Sequence, residues 1–230
     1  MRRYPYFHVG VTEPRRTGPI VSPEPSSTIQ RGPYYANLPC NNIFIPLSKR
    51  YALDPNCNPS DLVPIRNGRL RKEAAIALNE LIFNASQNGV NLLPVSAFRD
   101  YNAQAGLFQS HVNNLGLTEA ERQSARPGHS EHQLGTTVDV TSNSALERAR
   151  LNGTSPLLEF IGTPEAKWLE ENSWKYGFIV SYPKDKEHIT GYMYEPWHIR
   201  YVTRPVAEMV QASGMTLLEF LLNNPQFWSR

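Results

Sequence analysis

The chain has 230 residues, of which 40% are hydrophobic and 19% charged, a composition typical of one soluble globular domain with or without an extension. No run of eighteen apolar residues occurs, so no transmembrane segment is expected. The net charge is only +2 and no basic stripe is visible, which argues against nucleic acid as a partner.

The first forty residues differ in composition from the rest of the chain. They hold seven of the nineteen prolines, and five arginines against two glutamates, without helical or strand periodicity. We therefore predict a proline-rich extended arm at 1–40 and one folded domain at 41–230. The opening "MRRYPYFHVGVTEP" is basic but lacks an apolar segment, so no signal peptide is readable.

The chain has two cysteines, Cys40 and Cys57. Two thiols cannot by themselves complete a structural zinc site. They could form one disulfide across a short loop, which would suit an oxidising compartment, or remain unpaired. The sequence leaves both alternatives open.

The first long periodic segment predicts a helix over 70–89, ended by Gly89. Its apolar face comprises Leu70, Ala74, Leu78, Leu81, Ile82 and Ala85. A strand is predicted next at 90–98, where Pro94 indicates an edge position or a bulge. A second helix is predicted over 101–114.

Short strands and helices alternate irregularly in the second half. Strand patterns occur at 136–141, 178–182 and 197–202. Helix starts are indicated by Thr118 with Glu121, Thr163 with Pro164, and Thr216 with Glu219. Because the alternation has no regular βαβ rhythm, we predict an α+β fold with a mainly antiparallel sheet flanked by helices.

Several potential metal ligands lie close to predicted strands. His132 and Asp139 are seven residues apart, and a loop that runs into a strand could turn both side chains to one point. Both side-chain types bind zinc well, and His198 is the leading candidate for a third ligand. Glu195 could move the protons of a zinc-activated water. Spacing alone nevertheless favours polar residues without a metal, because a His and an Asp at this separation often occur by chance.

Three motifs follow one another along the chain: "SAFRDYNAQ" at 96–104, "SEHQLGTTVD" at 130–139 and "YEPWH" at 194–198. Together they resemble the motifs of the zinc-dependent D-alanyl-D-alanine carboxypeptidases of the VanY type, which include L,D-carboxypeptidases of the LdcB type. The resemblance covers roughly residues 45–205. It implies the hedgehog/D,D-peptidase fold.

The resemblance also implies a set of metal ligands and a catalytic base. One zinc ion would be held by His132, Asp139 and His198. Glu195 matches the general base, which takes a proton from the attacking water and returns it to the departing amine.

The same resemblance implies the residues that meet the substrate. Arg99 matches the arginine that stabilises the oxyanion or holds the substrate carboxylate, two tasks that suit a guanidinium. Gln104 and Ser130 match positions that line the substrate pocket. Ser181 departs from the pattern, since many relatives have an arginine there.

Neighbouring polar residues are expected to have lesser roles. His129 is interpreted as a loop residue, Glu131 as exposed or hydrogen-bonded, and His111 as a residue of a helix surface. Trp197 could belong to the core or to the pocket wall. Asp100 could support Arg99 or cap the following helix.

The implied activity is removal of the C-terminal D-alanine from peptidoglycan stem peptides with D,D specificity. The alternatives are an L,D-carboxypeptidase acting on tetrapeptide stems and, from another class, a non-catalytic zinc- or peptidoglycan-binding module. The substrate implies an extracytoplasmic location, in the periplasm or cell wall. A monomer is expected.

Overall fold

A four-stranded antiparallel sheet lies at the centre of the chain in the computed structural model, which describes residues 35–229. Its strands, in spatial order, are β5 (Leu93–Ser96), β6 (Thr137–Thr141), β8 (His198–Tyr201) and β7 (Phe178–Val180). Helices flank the sheet, so the predicted α+β class with an antiparallel sheet is confirmed.

The helices of the described chain precede, separate and follow these strands. They are α1 (Lys72–Gln87), α2 (Tyr101–Leu115), α3 (Leu117–Gln123), α4 (Asn143–Asn152), α5 (Pro164–Asn172), α6 (Glu187–Thr190), α7 (Arg204–Ser213) and α8 (Leu217–Asn223). Single 3₁₀ turns occur at Glu131–Leu134, Leu158–Phe160, Ser173–Tyr176 and Pro225–Phe227. Within residues 35–229, no helix combines the length and the apolar character needed to cross a bilayer.

Two small sheets precede the first helix. β1 (Tyr35–Leu38) pairs in parallel with β2 (Tyr51–Leu53), and β3 (Leu62–Ile65) forms a hairpin with β4 (Gly68–Arg71). None of these four strands was predicted from the sequence. The predicted arm is outside the described residues up to residue 34, and its last part contributes β1.

The central sheet separates an apolar face from a polar one. Val138 of β6 lies opposite Ile199 of β8, and both side chains are fully buried in the core that α1 covers. Successive side chains in a strand point to opposite faces. Asp139 and His198, the next residues along each strand, therefore point away from this core.

The two cysteines are joined. Cys40 and Cys57 form a disulfide, with their Cα atoms 5.5 Å apart, which decides between the two alternatives. Cys57 packs with Ile45, Leu47 and other apolar residues in a separate small core next to the 3₁₀ turn at 131–134. The segment after Cys40 is thereby fixed to the domain.

The predicted elements after residue 70 are present, but several bounds differ, since β5 and β7 are shorter than predicted and two helices start elsewhere. β5 is an edge strand with a register shift between Pro94 and Ser96, as Pro94 indicated. The first helix begins at Lys72, because Leu70 belongs to β4.

Two of the three predicted helix caps are present. The capping box of Thr216 and Glu219 is present, and Thr163 caps α5. The predicted cap at Thr118 is wrong, since the N-cap of α3 is Gly116, two residues earlier, and Thr118 lies inside the helix.

Candidate active site

The polar face of the sheet brings Asp139 and His198 together. The two residues are register partners on β6 and β8, and Ser96 of β5 pairs with Asp139 on its other side. Side chains of directly opposed residues lie on the same face and within contact distance. Adjacent antiparallel strands thus place a carboxylate beside an imidazole.

A tight turn before β8 adds Glu195 to this pair. The His198 N–H donates to the Glu195 carbonyl at 3.1 Å, which closes the turn through Pro196. The Glu195 N–H in turn donates to the Tyr182 carbonyl at 2.9 Å. Proline suits the second position of such a turn. Glu195 Oε2 consequently lies 3.7 Å from His198 Nδ1.

His132 reaches the same point from the 3₁₀ turn at 131–134. Gly135 ends that turn with a φ of 71°. This left-handed conformation favours glycine, and a Cβ atom there would also lie 2.8 Å from Leu62 Cδ2, so that side chain would have to shift. The chain can then enter β6 directly, with His132 turned toward Asp139.

Three atoms of these side chains converge in a geometry suited to a metal. One ligand atom each from His132, Asp139 and His198 lies within 4.8 Å of the others. His132 Nε2 is 3.2 Å from Asp139 Oδ2, and His198 Nδ1 is 3.2 Å from Asp139 Oδ1. His132 Nδ1 contacts the Ala97 carbonyl at 2.7 Å, which leaves Nε2 as the metal-binding nitrogen.

The buried polar atoms fit a zinc ion. Asp139 Oδ1 makes no hydrogen bond within residues 35–229, although His198 Nδ1 is close. Two imidazole nitrogens and a carboxylate are a donor set found in catalytic zinc sites, which keep a fourth position open. A cation bound at this point would account for the convergence of the three ligand atoms and for the lack of a hydrogen bond at Asp139 Oδ1.

A cavity of about 340 Å³ opens beside these residues, and Glu195 and Arg99 line it. Glu195 is buried, and its carboxylate is on the same side of the sheet as the candidate ligands. The backbone N–H of Arg99 donates to the His132 carbonyl at 3.3 Å, which ties the arginine to the ligand turn. Arg99 Nε is buried without a hydrogen-bond partner in the described chain.

Gln104 and Ser130 also line the cavity and are buried. Gln104 Nε2 donates to the Ala125 carbonyl at 2.7 Å and to Ser124 Oγ at 3.3 Å. These two bonds fix the orientation of the amide. Among the described residues none donates to Gln104 Oε1, which remains an acceptor for a bound molecule.

Burial and neighbouring charges shift the pKa values of the two carboxyl groups in the site. Burial and the carboxylates of Asp139 and Glu131 raise the pKa of Glu195 to about 8, despite opposing effects of His198 and Arg99. Burial also acts to raise the pKa of Asp139, but His132 and His198 hold it well below its usual range. The two carboxyl groups of the site therefore differ in their tendency to hold a proton. The low pKa of Asp139 suits a metal ligand, and the raised pKa of Glu195 suits a group that carries a proton.

Comparison with known proteins assigns the family. The profile described as VanY: D-alanyl-D-alanine carboxypeptidase matches residues 67–204. YodJ of Bacillus subtilis (strain 168), a carboxypeptidase by name, is 40% identical over 189 residues, which are 78% of this chain and 67% of YodJ. The chain belongs to the VanY family.

Two solved structures extend the likeness of this VanY-family protein to three dimensions. The LdcB LD-carboxypeptidase shares 40% identity and a TM-score of 0.66, over 76% of this chain and 83% of LdcB. A vancomycin-resistance D,D-pentapeptidase VanY mutant in complex with Zn(II) shares 29% identity and a TM-score of 0.65, over 77% of this chain and 98% of its own. Both have the D,D-peptidase fold that the motifs implied.

The structure brings all seven predicted site residues of the VanY-family chain to one cavity. They are Arg99, Gln104, Ser130, His132, Asp139, Glu195 and His198. Their individual roles remain predictions.

For the neighbouring polar residues and Trp197, the structure confirms some expectations and corrects others. Glu131 is not exposed but is buried and hydrogen-bonded to His198. Asp100 caps α2 by accepting from the Ala103 N–H. Trp197 belongs both to the core and to the cavity wall. His111 is half-buried on α2 and lines the cavity. The expectation that it belongs to the helix surface is therefore corrected.

Other lining residues had no signal in the sequence. They come from the middle of α2, from the end of α3 and from the segments around 155–158 and 182–193, and include Leu107, Leu157, Leu158, Tyr182, Tyr192 and Met193. Apolar and aromatic residues in loops have no distinctive spacing, and only the folded chain shows that these segments meet. Ser181, the departure from the family pattern, is buried close to the Glu131 carboxylate.

Proposed function

We propose that the protein is a zinc-dependent carboxypeptidase that hydrolyses the bond before the C-terminal D-alanine of peptidoglycan stem peptides. The observation that carries this proposal is the convergence of three ligand atoms within 4.8 Å at a cavity that also holds Glu195 and Arg99. A metal, a proton carrier and a fixed cation at one cavity are the components of a metallopeptidase site.

His132, Asp139 and His198 would hold the zinc through Nε2, a carboxylate oxygen and Nδ1. When bound, zinc supplies Lewis acidity toward the peptide carbonyl and makes a water nucleophilic near neutral pH. As the oxygen of the attacking water bonds to the carbonyl carbon, Glu195 accepts a proton from that water. Glu195 then donates that proton to the amide nitrogen as the C–N bond breaks, and free D-alanine leaves.

Arg99 is the one lysine or arginine among the described residues that line the cavity. Its guanidinium can donate to the oxygen that becomes negative during attack, or to the terminal carboxylate of the peptide. Its burial makes either interaction stronger than it would be in water. Gln104 Oε1 offers an acceptor for an N–H of the peptide, and Ser130 a hydroxyl.

The likeness to LdcB favours a second candidate within the same chemistry. LdcB is an LD-carboxypeptidase, and its 40% identity exceeds that of the zinc-bound VanY, which is 29%. An L,D-carboxypeptidase would remove D-alanine from a tetrapeptide stem with the same metal and base. The two specificities differ in how the cavity accommodates the residue before the scissile bond.

A non-catalytic binding module is the alternative from another class. Such a module has no need of a carboxylate beside the metal, so the position of Glu195 argues against it. We further propose that the protein acts outside the cytoplasm as a monomer. Its Cys40–Cys57 disulfide supports that location, since disulfides persist in oxidising compartments.

The test is mass spectrometry of muropeptides after incubation with zinc-loaded protein, with a chelator-treated control. Pentapeptide and tetrapeptide stems are offered together. Loss of alanine from the pentapeptide alone supports the D,D activity, and loss from the tetrapeptide supports the L,D activity. Zinc-loaded protein that changes neither stem would overturn the catalytic proposal in favour of the binding module.

A further inference from the structure

The two candidate histidine ligands are supported in different ways. His132 Nδ1 contacts a backbone carbonyl, that of Ala97, at 2.7 Å. His198 Nε2 contacts a side chain, Glu131 Oε2, at 2.9 Å, while its Nδ1 points to Asp139. Only the support of His198 can therefore be altered by substitution of a single side chain.

Glu131 is itself held in a fixed position. Its second oxygen, Oε1, accepts from Arg200 Nη1 at 2.7 Å. Arg200 lies two residues after His198 on β8 and thus on the same face of the sheet. Its side chain is fully buried, and its Nη2 donates to the carbonyls of Ile43 and Ile45 at 2.7 and 2.8 Å.

These contacts form a continuous path from the backbone at 43–45 through Arg200 and Glu131 to His198. Neither Glu131 nor Arg200 is among the described residues that line the cavity. They therefore have no direct access to substrate. Two charged side chains buried at this depth require a reason, because burial of ions is costly unless geometry and pairing compensate it.

We propose that Glu131 and Arg200 form a positioning pair that fixes the ring orientation and the tautomer of His198. With its proton on Nε2 directed at Glu131, His198 presents the Nδ1 lone pair to the metal. A carboxylate that accepts from the distal N–H of a ligand histidine also makes that ligand more basic. Zinc affinity thus depends on a pair of residues that touch neither zinc nor substrate.

Glu131→Gln in the full chain tests this inference, which rests on the proposed zinc site. The amide is isosteric, but it cannot accept from both His198 and Arg200, since one of its two ends is a donor. We expect the zinc dissociation constant, measured by competition with a chromophoric chelator, to rise about 10- to 100-fold. The matched control is Glu80→Gln, which also removes a carboxylate bound to an arginine, Arg204, but on the exposed face of α1.

Two further measurements separate positioning from general stability. Circular dichroism establishes that each variant is folded, and nitrogen-15 spectra of the zinc-loaded protein report the His198 Nε2 proton, expected to exchange slowly only in the wild type. If Glu131→Gln does not fold, Arg200→Lys tests the same pair, because a compact ammonium cannot reproduce the planar contacts to Glu131 and two carbonyls. Its zinc affinity is also expected to fall.

Unchanged zinc affinity in a folded Glu131→Gln variant, together with an unchanged His198 Nε2 signal, would overturn the inference while leaving the proposed function intact. A wild-type protein that binds no zinc would instead overturn the proposed function, and this inference with it. The two failures are therefore distinguishable by the wild-type titration alone.

Discussion

Two parts of the cavity lining are built in different ways. The metal side, which we define as His132, Asp139, Glu195 and His198, comes from β6, β8 and the turns that precede them, and every member is buried. The substrate side, defined as Leu107, His111, Leu157, Leu158 and Met193, comes from α2 and loops. Four of its members are half-buried, and the fifth, Leu158, is 48% exposed.

This difference indicates that the two sides have different functions. Side chains on paired strands have little freedom, and their positions are fixed by register and by buried hydrogen bonds, as chemistry requires. Residues on loops and on an exposed helix face tolerate substitution and can adapt to different substrates. Variants of the metal side should therefore abolish turnover, whereas variants of the substrate side should change which stem peptide is preferred.

The largest effect is expected for His198→Ala. Two remaining ligands hold zinc poorly, so both zinc content and hydrolysis should fall to background. Metal analysis of the purified protein and the muropeptide assay measure the two losses. His188→Ala, at an exposed position on α6, is the matched control. Full zinc content in the His198 variant would mean that the third ligand is wrong.

The next largest effect is expected for Glu195→Gln, which keeps the shape of the side chain but cannot accept the proton of water. We expect the turnover number to fall by about 10²- to 10⁴-fold, the usual contribution of a general base. Zinc content should be unchanged, because the proposed ligand set is intact. Glu171→Gln, on the exposed surface of α5, serves as control. Substantial remaining turnover would remove Glu195 from its assigned role.

Arg99→Lys distinguishes between the two roles proposed for the arginine. If the guanidinium stabilises the developing oxyanion, the turnover number should fall by about 10²- to 10³-fold at nearly constant KM. If it holds the substrate carboxylate, KM should rise instead, because lysine cannot donate bidentately. Steady-state kinetics on a synthetic pentapeptide separate the two, with exposed Arg126→Lys as control. Unchanged kinetics would exclude both roles.

Much of the metal side could be predicted from sequence, because its residues lie at fixed offsets. Asp139 follows His132 by seven residues since one short turn and a glycine connect the ligand to β6. Glu195 and His198 are three apart since a single turn joins them. Such local geometry leaves a pattern in the sequence that the family motifs also contain.

The substrate side and the Glu131–Arg200 pair had no comparable signal. Arg200 contacts the carbonyls of Ile43 and Ile45 across more than 150 positions of sequence, a separation that no local pattern can report. Glu131 stands inside a recognised motif, yet its burial became evident only from the fold. β1 to β4 were missed because β1 lies in the segment predicted as an arm, while β3 contains Pro64 and β4 contains Gly68, residue types that are disfavoured in strands.

The smallest effect is expected on the substrate side, for Leu158→Ala. Removing part of one apolar side chain from a pocket changes discrimination by roughly 10- to 200-fold at most, and exposure of Leu158 places the expectation at the lower end. Zinc content and the turnover number should stay close to wild type, while the ratio of kcat/KM for pentapeptide over tetrapeptide shifts. Leu151→Ala is the matched control, since Leu151 on α4 is 71% exposed and is not among the described residues lining the cavity. A Leu158 variant that loses turnover on both stems equally would contradict the division between the two sides, because a residue that only selects substrate should alter their ratio.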